Sequence, residues 1–573
     1  MLAEERTSGR RTCAKTGRLI ERRLRSNWLF WLLPIAGLFA LVWFLIRVIP
    51  KPSRATYPCQ RIAAPIACGF LAWLSGLALS AVVFRKARRL FDRSRYVAAG
   101  LLIVLSVLAV WWPLGITGRR ASAGFTPSDP PNNPLGVARG INPGRVVWVH
   151  DANSVSWDGR SGAWWDEGNV HQPVVNEMVS KSICWLTGEQ TDTAAWDALF
   201  RYFNRTNGWG DVGYRSGEKI AIKLNMNQDY GDRWDDDIAL PTPQLVYCVT
   251  EQLINVVGVS GSAITIYDAT QYVGDPIYDK IRSNPDREFQ SVRFIVNPEY
   301  AGDGRIAAQP DRNVPIYYAD SRVDYSGRCY PPRGVTEADY LINIALFRAH
   351  SDAGITSLAK NHFGSVYNGA DSMYGWKPDH MHVSAWVREN AVSSPNALVD
   401  LMGHEHLGGK TLLFMIDALF GQEYQSSGHI RFESFGNQYP CSIFASQDGV
   451  AIESVALDFI RNEPRCARRI AGSMDNYLHE AALADNPPSG AFYDPEGDGV
   501  QLESLGVHEH WNNAIDKQYS RNLGTSDGIE LITSKPGVHV SADLNKDGIV
   551  NFLDFASFRE AWTLGGRGGR LGD

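Results

Sequence analysis

The chain has 573 residues, enough for several cores, with 44% hydrophobic and 21% charged residues and a formal net charge of −6. The charge is unevenly spread: residues 1–120 carry 20 Lys and Arg against 4 Asp and Glu, so the remainder is strongly acidic. An acidic body argues against nucleic acid as a partner. Eight scattered cysteines with no C-x-x-C spacing exclude a zinc knuckle, a thioredoxin motif and a ferredoxin-type cluster.

In chain order, the first elements are three apolar runs of spanning length, Asn27–Val48, Ile62–Phe84 and Val97–Ile116. Runs of about 20 apolar residues are read as transmembrane helices. They make residues 1–120 a membrane anchor with the lipid bilayer as its partner. Lys and Arg crowd the N-terminal tail and the loop between the second and third runs, which places both in the cytoplasm. The expected localisation is thus a multi-pass cell-membrane protein with an extracytoplasmic body. Residues 121–143, rich in Pro, Gly, Ser and Asn, read as a linker.

Residues 144–533 alternate short apolar runs with helical patterns. Strands are expected at Arg145–His150, Lys219–Leu224, Ala263–Asp268, Val292–Val296, Tyr340–Phe347, Thr411–Ile416 and Cys441–Ala445. The runs are continuous and not alternating, the pattern of strands buried on both faces. Helices are expected at Pro173–Leu186, Thr193–Asn204, Pro243–Val257 and Val450–Ile460. The fold class is therefore α/β, a mostly parallel sheet flanked by helices. It is preceded by the three transmembrane helices and followed by a small EF-hand-like calcium module at residues 541–563.

That module rests on Ala542–Trp562 (ADLNKDGIVNFLDFASFREAW). Asp543, Asn545 and Asp547 fall at positions 1, 3 and 5 of a calcium loop, with Gly548 at its sharp turn. The Ile549 carbonyl, Asn551 and Asp554 follow at positions 7, 9 and 12, so alternating oxygens wrap one Ca²⁺. The segment resembles one repeat of a type I dockerin, which implies a protein partner for the calcium module; a dockerin carries two repeats and this chain shows one. A look-alike, Asp494-x-Glu496-x-Asp498-Gly499, lacks the acid at position 12 and reads as a turn.

The body resembles the domain of unknown function 362 family. The likeness is carried by IAIKLNMN at Ile220–Asn227, AHSDAGITSLAKNHFGSV at Ala349–Val366 and the run Asn396–Gly421. The runs Ser446–Phe459 and Leu505–Gly524 extend it to roughly residues 145–533. The resemblance implies a fold and no assigned reaction.

Ligands of open sheets gather beyond the carboxyl ends of the strands. The expected site is a crevice there, lined by Lys223, Asn225, Asp268, His350, Lys360, Asn361, His362 and Asp448. Lys223 and Lys360 would anchor an anionic group, with Asn225 and Asn361 orienting it. His350 or His362 would exchange protons, and Asp268 and Asp448 would orient the histidine or help hold a metal. The plainer reading is that these groups satisfy one another and the loop backbones. The pairs His380/His382, His404/His406 and His508/His510 offer a transition-metal site if their segments are extended, with Glu405 or Glu509 as a neighbouring base. Three functions stay open: a metal-assisted enzyme on a small anionic or polyol molecule, a cell-surface binding or scaffold protein, and a carbohydrate-active hydrolase.

Overall fold

The computed structural model describes residues 125–533, except 232–233, 369–375, 377 and 386–391, together with residues 39, 41–43 and 46. The chain divides into two compact units, Met1–Ala121 and Ser122–Asp573, and the fold below is that of the second.

Its centre is a largely parallel sheet. The strands are β1 (Leu135–Gly136), β2 (Arg145–His150), β3 (Ile220–Leu224), β4 (Ile264–Tyr267), β5 (Arg293–Val296), β6 (Ile306–Ala307), β7 (Tyr340–His350), β8 (Gly354–Ile355), β9 (Thr411–Gln422), β10 (His429–Ile430), β11 (Ser442–Ser446), β12 (Val507–His508) and β13 (Glu530–Thr533). The main order is β13-β2-β11-β9-β7-β3-β4-β5-β6, and β1 pairs with β12 apart from it. In the main order only β11 runs against its neighbours, antiparallel to both β2 and β9.

Why the strands are continuous apolar runs is plain from their two faces. Ile220, Ile222 and Leu224 of β3 enter one core, and Ala221 enters the other. Val147 and Val149 of β2 likewise oppose Val146. Period-two alternation between two buried faces makes most positions apolar, and a polar side chain there, such as Lys223, must find a buried partner.

The longer helices are α1 (Gln172–Thr187), α2 (Asp192–Thr206), α3 (Pro243–Gln252), α4 (Asp275–Arg282), α5 (Ala397–Gly403), α6 (Gly449–Asn462) and α7 (Asn476–Ala482). Local chemistry sets their ends. Pro173 stands in the first turn of α1, and Gly188 closes it at φ 87°, a left-handed position that favours glycine. Thr191 caps α2 by accepting from the Ala194 N–H. Helices α1 to α4 pack on the face of Ile220, and α5 to α7 on the face of Ala221.

The expected three transmembrane helices are not upheld. Among the described residues no helix is long and apolar enough to cross a membrane. The longest of those numbered here, α1, has 16 residues, short of the roughly 20 that a bilayer core requires. The runs Asn27–Val48, Ile62–Phe84 and Val97–Ile116 lie outside the described residues, save Phe39, Leu41, Val42, Trp43 and Ile46. The multi-pass membrane placement and the extracytoplasmic orientation are therefore not carried forward. The EF-hand-like module also lies outside the described residues.

Residues 125–143, read as a linker, are held by the body in several places. Phe125 N–H donates to the Ile470 carbonyl at 3.2 Å and Asn132 N–H to the His510 carbonyl at 2.9 Å. Leu135 lies opposite His508 in the β1–β12 pair. The Asp494 segment is a turn, its carboxylate accepting from the N–H groups of Gly497, Asp498 and Gly499.

Candidate anion-binding crevice

The strand order fixes where a crevice opens. From β3 the chain steps outward through β4, β5 and β6, then returns to lay β7 on the other side of β3. Helix α3, which follows β3, packs on one face, whereas the turn Leu358–Asn361 and α5, which follow β7, pack on the other. Connections that leave adjacent parallel strands toward opposite faces leave a gap at their carboxyl ends. A cavity of about 220 Å³ lies there, lined by Asn225, Asp268, His350, Lys360, Asn361 and Gln425 among others.

The floor is a buried ion pair. Lys223 Nζ lies 3.0 Å from Asp268 Oδ2 and donates to Asn361 Oδ1 at 3.0 Å and to the Leu224 carbonyl. Burial pushes this amine down from its ordinary value, and the Asp268 carboxylate opposes the shift. Asp268 is spent on structure: Oδ2 also accepts from Met226 N–H, and Oδ1 accepts from the N–H and hydroxyl of Thr270. Asn361 donates its amide to Asn343 Oδ1 and the Ile344 carbonyl, which staples the Leu358–Asn361 turn to β7. Gly364 closes the floor. A Cβ there would sit 2.6 Å from both Asp268 Oδ1 and Lys223 Nζ.

The walls are cationic. Arg348, 1% exposed, donates from Nη2 to Asn225 Oδ1 at 2.9 Å and from Nη1 to Gln228 Oε1 and the Gln425 carbonyl. Those acceptors are neutral amide oxygens, and its Nε has no partner. Burial lowers the guanidinium to about 10, which leaves it charged at neutral pH. Lys360 Nζ stands over the Phe363 ring at 3.8 Å and 3.3 Å from His382 Nε2. Its amine is pushed down to about 7, by burial first and then by the Arg348 charge, with Asp352 opposing. Thr356 also lines the cavity, and its buried hydroxyl has no partner.

Of the eight expected site residues, Asn225, Asp268, His350, Lys360 and Asn361 line the crevice, and Lys223 lies directly beneath it. His350 Nδ1 accepts from the N–H groups of Asp352 and Ala353, so its proton sits on Nε2 and the ring is a donor toward the site. His362 and Asp448 do not join. Two residues apart on a helical turn point to different faces, so Lys360 faces the crevice while His362 turns inward against Asn343 and Ser365. Burial pushes His362 down to about 3. Asp448 follows β11, the reversed strand, and so lies at the opposite end of the sheet, where it caps α6 through the N–H groups of Val450 and Ala451. His362 instead borders a cavity of about 370 Å³ that opens beside the first residues of β9 and whose Arg139 is already committed to the Ser504 carbonyl.

Sequence reasoning left Arg348, Thr356, His382 and Gln425 out of the site. Arg348 was legible as the cation that directly follows the run Tyr340–Phe347; Thr356 and Gln425 sit on loops without a periodic signal, and His382 opens a short helical turn. The extended-segment premise for the histidine pairs fails for His380/His382, which occupy helical turns Pro378–Met381 and His382–Ala385. Those rings diverge, His380 to Cys329 and His382 to Lys360. His404 Nδ1 accepts the His406 N–H, Glu405 lies 3.3 Å from His406 Nε2, and Glu509 is committed to Ser520 and so is not free to act as a base. The calcium-loop residues Asp543, Asn545, Asp547, Ile549, Asn551 and Asp554 lie outside the described residues.

No curated protein matches this chain. Residues 220–458, which run from β3 into α6 and include every residue of the crevice named above, match the family model described as Domain of unknown function (DUF362).

Proposed function

We propose that the crevice at the β3–β7 switch binds a small anionic molecule and that Lys360 is the group that exchanges a proton with it. The observation that supports this reading most is Arg348. A charged guanidinium is buried with no carboxylate partner among the described residues and with one N–H unsatisfied. An uncompensated buried cation is costly unless a ligand neutralises it. Lys360, half protonated near neutral pH, adds a second cation that can become a base. At about 220 Å³ the cavity falls below the roughly 300 Å³ at which drug-sized pockets begin. A ligand of a few heavy atoms, such as phosphate, sulfate or a short carboxylate, is the fitting size. The hydrolase reading draws no support from Asp268, whose oxygens are committed to Lys223, Met226 and Thr270.

The test is thermal unfolding of the full chain against a panel of small anions. At least one should raise Tm in the parent protein and leave the Arg348→Met variant unmoved. A panel without effect, or equal shifts in both proteins, sinks the reading.

We also propose that Asp543, Asn545, Asp547, Asn551 and Asp554, with the Ile549 carbonyl, bind one Ca²⁺ with an affinity of about 10⁻⁴–10⁻³ M. Support is the donor spacing alone. Calorimetry should show a binding heat that Asp547→Ala abolishes; identical heats would refute it.

A further inference from the structure

A second set of unsatisfied buried atoms lies away from the crevice. Asp129 precedes β1, Asp475 and His479 stand four residues apart at the start of α7, and His508 belongs to β12. One ligand atom from each of the four lies within 4.8 Å of the others. Asp475 and His508 are each 1% exposed and His479 4%, so only Asp129 reaches solvent appreciably.

The hydrogen bonds define which atoms are left over. Ser454 Oγ donates to the Val450 carbonyl at 2.7 Å, which uses its only proton. Its contact with His508 Nδ1 at 2.8 Å must then be donated by the imidazole. His508 is therefore the Nδ1–H tautomer, and its Nε2 carries a lone pair that is buried and has no partner. This is how a metal-binding histidine is usually held, with the non-ligating N–H fixed by a neighbouring acceptor. Asp475 Oδ2 also has no hydrogen bond, although His510 Nε2 lies 3.5 Å away. His510 is fixed by Asp458 Oδ1 through its other nitrogen at 2.7 Å. A His510–Asp475 ion pair would account for part of the carboxylate, but it leaves the His508 lone pair facing nothing. His479 Nε2 abuts Asp129 Oδ2, and the His479 and His508 rings meet edge to face with centroids 4.8 Å apart.

We propose that Asp129, Asp475, His479 and His508 bind one zinc ion as a structural cross-link. Two imidazoles and two carboxylates are a donor set that zinc accepts, and two carboxylates balance its charge. Shifts of about an ångström would bring the four atoms to the roughly 3.3 Å spacing of ligands around a tetrahedral zinc. Four protein ligands leave no open position, the mark of a structural and not a catalytic site. The ion would tie the segment leading into β1, the start of α7 and β12, three parts far apart in sequence.

The experiment uses the full-length, tag-free chain purified without chelator. Elemental analysis should find about one zinc per chain, and Zn²⁺ added back to the stripped protein should raise its Tm. His508→Gln and Asp475→Asn should lose the ion, while His404→Gln should keep it. Should the two buried variants fail to fold, Asp129→Asn, at the exposed edge, serves in their place and should weaken Zn²⁺ binding at least about tenfold. Less than a tenth of an equivalent together with no Tm response to Zn²⁺ overturns the proposal. So does an unchanged Zn²⁺ affinity in Asp129→Asn.

Discussion

At the carboxyl ends of β3 and β7 the charge left without a counter-ion is a cation, and Arg348 Nε there is a donor with nothing to donate to. Around β12 and α7 the unsatisfied atoms include two acceptors, the His508 Nε2 lone pair and Asp475 Oδ2, beside His479 Nδ1 and His510 Nε2. Leaving a buried polar atom unmade costs about 1–3 kcal/mol, so neither set is neutral to the fold. The contrast in sign is what gives each a meaning: donors in excess call for an anion, lone pairs in excess for a cation. The two regions also differ in access. The crevice is a cavity with loops from four neighbouring strands at its rim, whereas the histidine–aspartate cluster is nearly closed to solvent. Exchangeable ligand and permanent cross-link are the corresponding expectations.

The sharpest way to break this comparison is at the crevice floor. Removing one partner of a buried ion pair strands the other charge and costs about 3–5 kcal/mol. Asp268→Ala should therefore destabilise the chain by that much in chemical denaturation and abolish anion binding with it. Lys223→Met should cost less, because Asp268 keeps the Met226 and Thr270 donors. Equal and small losses in both variants would mean that the pair does not hold the site together.

The next effect is pH dependence through Lys360. The groups facing its amine are Arg348, Asp352 and His382, with Phe363 beneath it. The folded amine is protonated below about 7 and neutral above it. Sulfate, which does not itself titrate in this range, should bind best below pH 7 and lose about tenfold to a hundredfold in affinity as pH rises through it, about 1.4–2.7 kcal/mol. Lys360→Met should bind weakly and without that pH dependence. The sign for stability is the reverse. An amine depressed from 10.5 penalises the folded state fully below about 7 and not at all above 10.5. Lys360→Met should thus raise stability at pH 6 and leave it nearly unchanged at pH 10.5. A sulfate affinity flat across pH 6–8.5 in the parent protein would remove Lys360 from the site.

What could be read in the sequence follows the same division. The strands were legible because burial on both faces leaves near-continuous apolar runs such as IAIKL, broken at Lys223, and the strand-end rule then brought Asn225, Asp268 and His350 together. Strand direction is not written in such a run. β11 is as apolar as its neighbours but reversed, and that alone carried Asp448 to the far end of the sheet. A cue for Asp448 was present: an Asp directly before a helical pattern is a cap signal. Lys360 and His362 were separable by helical geometry, which sends residues two apart to different faces. The histidine–aspartate cluster was legible only in part. His508 stood out in H-E-H, and Asp475 and His479 have the four-residue spacing of one helix face. Asp129, however, comes from a stretch whose Pro- and Asn-rich composition reads as linker, and nothing local says that β1 pairs with β12.

A smaller perturbation tests how tightly the crevice is packed. The Cβ of Gly364→Ala would lie 2.6 Å from Asp268 Oδ1 and Lys223 Nζ, both fixed by other bonds. Overpacking of this kind costs about 1–3 kcal/mol. Anion affinity should fall in parallel, because the ion pair must shift. A Gly364→Ala protein with parent stability would show that the floor has slack.

The smallest expected effect is at Thr356, and it separates ligand recognition from stability more cleanly than the others. Its hydroxyl is buried, lines the crevice and has no partner. Valine has nearly the same shape without the hydroxyl. In the ligand-free protein Thr356→Val removes a polar atom that makes no bond, so stability should stay within about 1 kcal/mol of the parent or rise slightly. If the hydroxyl is there to donate to an anion, binding should weaken by about fivefold to tenfold, the worth of about one hydrogen bond. Paired denaturation and calorimetry on the same sample read both quantities. Unchanged stability with weakened binding ties the orphan hydroxyl to the ligand. Unchanged affinity would mean that Thr356 only lines the wall, and the anion would then have to be held by Arg348 and Lys360 alone.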